Sequence, residues 1–170
     1  MKMIDVGQKP KTERVAVARG FVSMAPATVS IVRGGRAEKG DVLAAARLAG
    51  IMAAKKTPEL VPLCHPIALS GVEVEARTRR GGVEVKATVR TVDRTGVEME
   101  ALLAAGAGCL TVYDMLKRYE RGMRIEALEL LEKSGGRSGL WRRAPRLSGR
   151  GAPPSSGRGR AGRSPRTRGG

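Results

Sequence analysis

Residues 72–89 read Val72-Glu73-Val74-Glu75-Ala76-Arg77-Thr78-Arg79-Arg80-Gly81-Gly82-Val83-Glu84-Val85-Lys86-Ala87-Thr88-Val89, and this stretch decides the fold. Apolar and charged residues alternate on both sides of the central Arg-Arg-Gly-Gly. A period of two puts Val72, Val74 and Ala76 on one face of a first strand. Val83, Val85, Ala87 and Val89 take the same face of a second, and the glycines supply the turn of a hairpin. Such a sheet is apolar on one side and charged on the other, so helices are needed on one side only.

Working outward, Arg14 to Met24 alternates in the same way and reads as a further strand. Ala25-Pro26 opens a short helix that Gly34-Gly35 closes. Asp41 is a suitable N-cap for DVLAAARLAGIMAAKK, and Pro58 marks where that helix stops or bends. Beyond the hairpin, the longest helical pattern runs from about Val97 to Tyr119, with Gly122 just past it. Gly106 and Gly108 inside it each cost about 1 kcal/mol relative to Ala, which predicts close approach of another backbone. Met123 to Leu131 reads as a last strand, although its Glu and Leu content also suits a helix. The order strand, two helices, two strands, helix, strand predicts an α+β, ferredoxin-like sandwich: an antiparallel sheet with helices on one face.

The 170 residues suffice for one domain that buries a core without staples. Hydrophobic residues make up 41% and aromatic ones 2%, so the core is aliphatic and base-stacking platforms for single-stranded nucleic acid are scarce. Net charge is +16, of which nine arginines after Leu140 supply more than half, leaving +7 for residues 1–139. Composition therefore divides the chain into a domain over 1–139 and a Gly, Arg, Pro and Ser-rich tail over 140–170 that is expected to be disordered. The amino terminus is polar, and no stretch of about 20 apolar residues is evident for a bilayer. Two cysteines are no disulfide framework. A reducing, cytoplasmic setting without membrane attachment is expected.

Asp114 and Lys117 are three apart on the long helix and share a face. On spacing alone they are an ordinary helix ion pair. Their apolar neighbours Tyr113, Met115 and Leu116 suggest instead an acid/base pair whose pKa values are drawn toward neutrality by burial and by each other. His65, the one histidine, stands before Pro66 on an extended segment. Cys64-His65 lacks a second ligand cluster at zinc spacing, so no metal site is expected; contact with a phosphate or ring nitrogen suits the imidazole better. Glu98 and Glu100 begin the long helix, which Thr95 is placed to cap. They complement its dipole, and a carboxylate there can also accept the paired N–H groups of a guanine-like ring. Lys39 opens a helix, and Lys133-Ser134-Gly135-Gly136-Arg137 is a basic Gly-rich loop without Walker spacing. With Lys9 and Arg14 they would suit a triphosphate.

Taken together, KGDVLAAARLAGIMAAKKTPELVPLCHP, TGVEMEALLAAGAGCLTVYDMLK and LLEKSGGRSG closely resemble the cyclic pyranopterin monophosphate synthase family of molybdenum cofactor biosynthesis, from about Asp5 to Gly139. The resemblance implies a small-molecule substrate, a 3′,8-cyclised dihydro-GTP, converted to cyclic pyranopterin monophosphate with release of pyrophosphate. It implies that Asp114 and Lys117 are catalytic. Leu63, Cys64, His65, Met99 and Glu100 match substrate-binding segments, and Lys39, Lys133 and Arg14 match basic residues around the phosphates; Glu98 is placed with them. It further implies a homohexamer, a trimer of dimers with each site shared between two subunits. No redox cofactor is called for, although a divalent cation accompanying the triphosphate is compatible with the chemistry.

The chain departs from the family pattern in three places. Gly34-Gly35-Arg36-Ala37-Glu38 precedes Lys39 where many relatives carry histidines, and Arg137 stands where Lys is frequent. The arginine tail is outside the pattern altogether. It makes polynucleotide binding, by salt-dependent phosphate contacts, the chief alternative function. A nucleotide-binding protein without chemistry is a third.

Overall fold

In the computed structural model, which describes residues 1–144, nine elements follow one another. They are β1 (Thr12–Ser23), α1 (Pro26–Arg33), α2 (Val42–Lys55), α3 (Thr57–Leu60), β2 (Leu69–Arg79), β3 (Gly82–Asp93), α4 (Glu98–Leu116), β4 (Arg124–Ser134) and β5 (Trp141–Arg142). The strands form one antiparallel sheet in the order β2-β3-β1-β4-β5. This is the expected α+β, ferredoxin-like arrangement.

The alternation of the hairpin carries the core. Val74, Ala76, Val83, Val85, Ala87 and Val89 are buried, and the β1–β3 register sets Ala16 and Ala18 beside Val89 and Ala87. Over that face lie α2 and α4. Asp41 caps α2 as expected, its carboxylate accepting the Ala44 N–H at 2.9 Å. Small residues bring the two helices together: a Cβ on Gly50 would lie 2.9 Å from the Ala104 carbonyl oxygen. One on Gly108 would lie 2.7 Å from Val85 Cγ1 and 3.2 Å from the Ala46 carbonyl. The close backbone predicted for the glycines of α4 is thus found at Gly108, where it is the chain's own α2; a Cβ on Gly106 would meet only the Leu128 side chain, at 3.4 Å. α4 is long and apolar enough to cross a bilayer, but it is a core helix here, with Ala101, Ala104, Ala105 and Val112 fully buried.

Gly50→Val is expected to destabilise the domain by about 1–3 kcal/mol, because the obstructing atom is backbone and cannot swing away. Its urea midpoint should fall with the slope unchanged; an unchanged midpoint would mean that α2 and α4 can separate at no cost.

Four features at the ends of α4 and β4 differ from the sequence expectation. α4 stops at Leu116 rather than Tyr119, because the Lys117 N–H still bonds Tyr113 while Tyr119 N–H turns to Leu116. Thr95 does not cap α4; Val97 holds that position, without a side-chain bond. The last long strand runs on to Ser134, so Lys133 is on a strand instead of in the loop. Finally, the chain stays ordered beyond Leu140: Trp141 and Arg142 pair with Lys133 and Glu132. Arg143 reaches Glu129 at 3.3 Å and the Leu130 carbonyl at 2.6 Å. The disorder expected for the rest of the tail concerns residues 145–170, outside the described residues.

Candidate active site

α4 carries candidate residues at both ends, and the structure gathers them into two groups. At its carboxyl end Asp114 lies between two ammonium groups. Lys117 Nζ is 2.8 Å from Oδ1, and Lys39 Nζ is 2.6 Å from Oδ2 and 3.2 Å from the Asp114 carbonyl. Lys39 arrives from the turn before α2, where Gly40 adopts a φ of +97° that favours glycine. A depression of about 240 Å³ opens beside the three, bordered by Met115, Arg118 and Tyr119.

This environment corrects the expected electrostatics. Asp114 and Lys117 are roughly half exposed, so burial does not draw their pKa values together. Hydrogen bonds from Lys117 and then Lys39 hold the Asp114 carboxyl down at about 2, and Asp114 in turn raises Lys117. Opposite charges favour both charged forms, which moves the pair away from neutrality. The free protein thus presents a locked carboxylate and two cations.

The second group surrounds the amino end of α4. Glu100 is 1% exposed; its Oε1 accepts the Cys64 thiol at 3.5 Å, while Oε2 has no hydrogen-bond partner among the described residues. Burial pushes the Glu100 carboxyl up, and burial with the Glu100 charge pushes the Cys64 thiol up to about 11. A buried carboxylate oxygen without a donor is costly, and a ring N–H would satisfy it. His65 follows Cys64, half-buried, on the irregular segment leading to β2; Leu63 and Met99 expose their side chains nearby in the chain.

Glu98 connects this carboxylate to a basic hollow, its Oε1 3.7 Å from Lys133 Nζ. A cavity of about 500 Å³ there is lined by Lys9, Arg14, Arg94, Lys133 and Arg137. The glycines of the basic loop have a physical reason. Gly135 and Gly136 take φ values of +93° and +68°, and a Cβ on Gly136 would lie 1.9 Å from Arg14 Nη1. The loop therefore folds directly over the guanidinium. Arg94 was not among the residues expected from the sequence; its place just before Thr95-Gly96, at the same helix end as Glu98, is the signal that could have found it.

Within one chain the two groups stay apart. Glu100 and Asp114 are fourteen residues apart on α4, about 21 Å at 1.5 Å per residue. The structure therefore brings together Lys39, Asp114 and Lys117, and separately Cys64, Glu100, Glu98, Lys133 and Arg14, but not the two sets. Among the described residues no three of His, Cys, Asp and Glu cluster closely enough to hold a metal ion.

A family model described as the MoaC family matches residues 3–136. A cyclic pyranopterin monophosphate synthase of Thermomicrobium roseum is 62% identical over 144 residues, covering 84% of this chain and 87% of that protein. Proteins of the same name from Novosphingobium aromaticivorans and Cereibacter sphaeroides are 54% and 57% identical, covering 84% and 81% of this chain and 91% and 87% of theirs. The glycine loop over Arg14, the half-satisfied Glu100 and the doubly paired Asp114 all fall inside the matched span, and the chain belongs to the MoaC family.

Proposed function

We propose that this protein is a cyclic pyranopterin monophosphate synthase. It converts 3′,8-cyclised dihydro-GTP to cyclic pyranopterin monophosphate and releases pyrophosphate, in the cytoplasm, as a step of molybdenum cofactor biosynthesis. The observation that carries this reading is the Asp114 carboxylate held at 2.6 and 2.8 Å between two lysines beside an open depression. An anionic substrate competes for those lysines. As its phosphate oxygens take Lys39 and Lys117, Asp114 loses the partners that depress its pKa and becomes a usable proton acceptor and donor. Ring opening and pterin closure need such transfers. The later step joins the α-phosphorus to a sugar oxygen and breaks its bond to the departing pyrophosphate. Positioning and charge stabilisation dominate phosphoryl transfer of this type.

Glu100 Oε2 accepts ring N–H groups of the guanine-derived base, with Cys64 and His65 beside it, and Leu63 and Met99 give the base apolar cover. Lys9, Arg14, Arg94, Lys133 and Arg137 hold the triphosphate, a divalent ion accompanying it where one is bound. One chain cannot set Glu100 and Asp114 on the same ring system across about 21 Å of rigid helix. The complete site is therefore assembled from two subunits of a closed homo-oligomer, the hexamer that the family resemblance implies.

Pyrophosphate release from the cyclised substrate tests the assignment. Binding of GTP with no such release would favour a nucleotide-binding role without chemistry. The arginine tail sustains a separate, accessory reading as a polynucleotide contact. Deleting residues 145–170, which spares β5 and Arg143, is expected to leave turnover within about twofold and to abolish retention on RNA or DNA at low salt. Retention unchanged by the deletion would make the tail a passive extension.

A further inference from the structure

In the free protein the Lys39 ammonium lies 2.6 Å from the Asp114 carboxylate, yet both side chains are about half exposed. An exposed ion pair contributes little and does not by itself immobilise a long, rotamer-rich side chain. The backbone around Lys39 is fixed in another way. Tyr119 Oη accepts the Glu38 N–H at 2.8 Å and donates to the Arg36 carbonyl at 3.5 Å. Arg118 pairs with the Glu38 carboxylate. The turn bearing Arg118 and Tyr119 is itself anchored, since Glu120 accepts the Ala25 N–H at 2.9 Å and the Thr28 hydroxyl at 2.6 Å. On the other side of Lys39, Asp41 is committed to capping α2.

We infer that Tyr119 is a positioning residue, acting with Arg118 and Glu38 as a clamp that holds the Lys39 turn to the end of α4 and so sets Lys39 against Asp114. None of the three takes part in the chemistry. Arg118 and Tyr119 stand in the turn where α4 ends, immediately after Lys117, so the helix that carries Asp114 also carries the group that aims its second lysine. The inference rests on the function proposed above for its turnover readout, but not for its local one.

Tyr119→Phe in the full-length protein removes the hydroxyl and keeps the ring. Expected are a fall in kcat of about ten-fold from a misplaced Lys39, a KM within about twofold, and an unfolding midpoint close to that of the wild type. In a Lys39→Ala background the same change should cost nothing further, because the group being positioned is absent. Lys117 reaches Asp114 from the end of its own helix and Lys39 from the opposing turn, and Glu38, Arg118 and Tyr119 border the same depression. Loosening Lys39 should therefore raise the pH at which the Asp114 carboxyl titrates, from about 2, by carbon-detected NMR. An unchanged Asp114 titration would overturn the clamp, as would an equal loss of kcat with and without Lys39. If the wild type releases no pyrophosphate, the proposed function fails, and the Asp114 titration still decides the clamp.

Discussion

Asp114→Asn is expected to lower the release of pyrophosphate from the cyclised substrate by about 10³-fold, with assembly and unfolding midpoint preserved. The amide keeps the shape of the carboxylate, and its single oxygen still accepts from Lys117 or Lys39 while its NH2 faces the other ammonium, but it neither takes up nor gives back a proton. Half exposure of the side chain means that no buried charge is left uncompensated by the change. Lys117→Ala should lose turnover on the same scale, and the double variant should lose little more, because groups acting as one unit are not additive. Turnover of Asp114→Asn at a wild-type rate would remove Asp114 from the mechanism.

The second large effect comes from mixing inactive proteins. Glu100→Gln replaces a ring-facing acceptor with an amide that can present N–H to N–H, and should cost about 10²-fold in kcat/KM. If each site takes Glu100 from one subunit and Asp114 from another, assemblies formed from Glu100→Gln and Asp114→Asn chains contain some sites with both groups intact. Random mixing in a closed symmetric oligomer restores about a quarter of wild-type activity from two nearly inactive parents. Activity remaining at the level of the parents would show that both groups act within a single chain, against the separation set by α4.

The sheet and its helices were legible because their signals are local and repetitive. The alternation through Val72–Val89 defines the hairpin wherever it sits, and Asp41 caps α2 through a bond spanning three residues. Element ends were less legible. Trp141 and Arg142 lie at the start of a segment whose composition argues for disorder, and they become a strand only because β4 offers an unpaired edge and Glu129 an ionic partner for Arg143. Thr95 is a sound capping residue by type, but the chain enters α4 through Val97.

The candidate site divides in the same way. Asp114 and Lys117 are three residues apart, so their contact is a property of helical spacing and the sequence alone determined it. Their charge state was not so determined. Lys117 and then Lys39, 75 residues away in the chain and 2.6 Å from Asp114, hold that carboxyl low, and the exposure of the side chains keeps burial from reversing the shift. The sequence by itself named the candidate residues other than Arg94, because chemical type and motif order are carried by the chain. Only the tertiary structure decided that Asp114 is a doubly paired carboxylate, that Gly135 and Gly136 close over Arg14, and that α4 keeps the two groups of candidate residues apart. Each of those depends on distances between segments remote in sequence, and electrostatic coupling and steric contact follow distance in space.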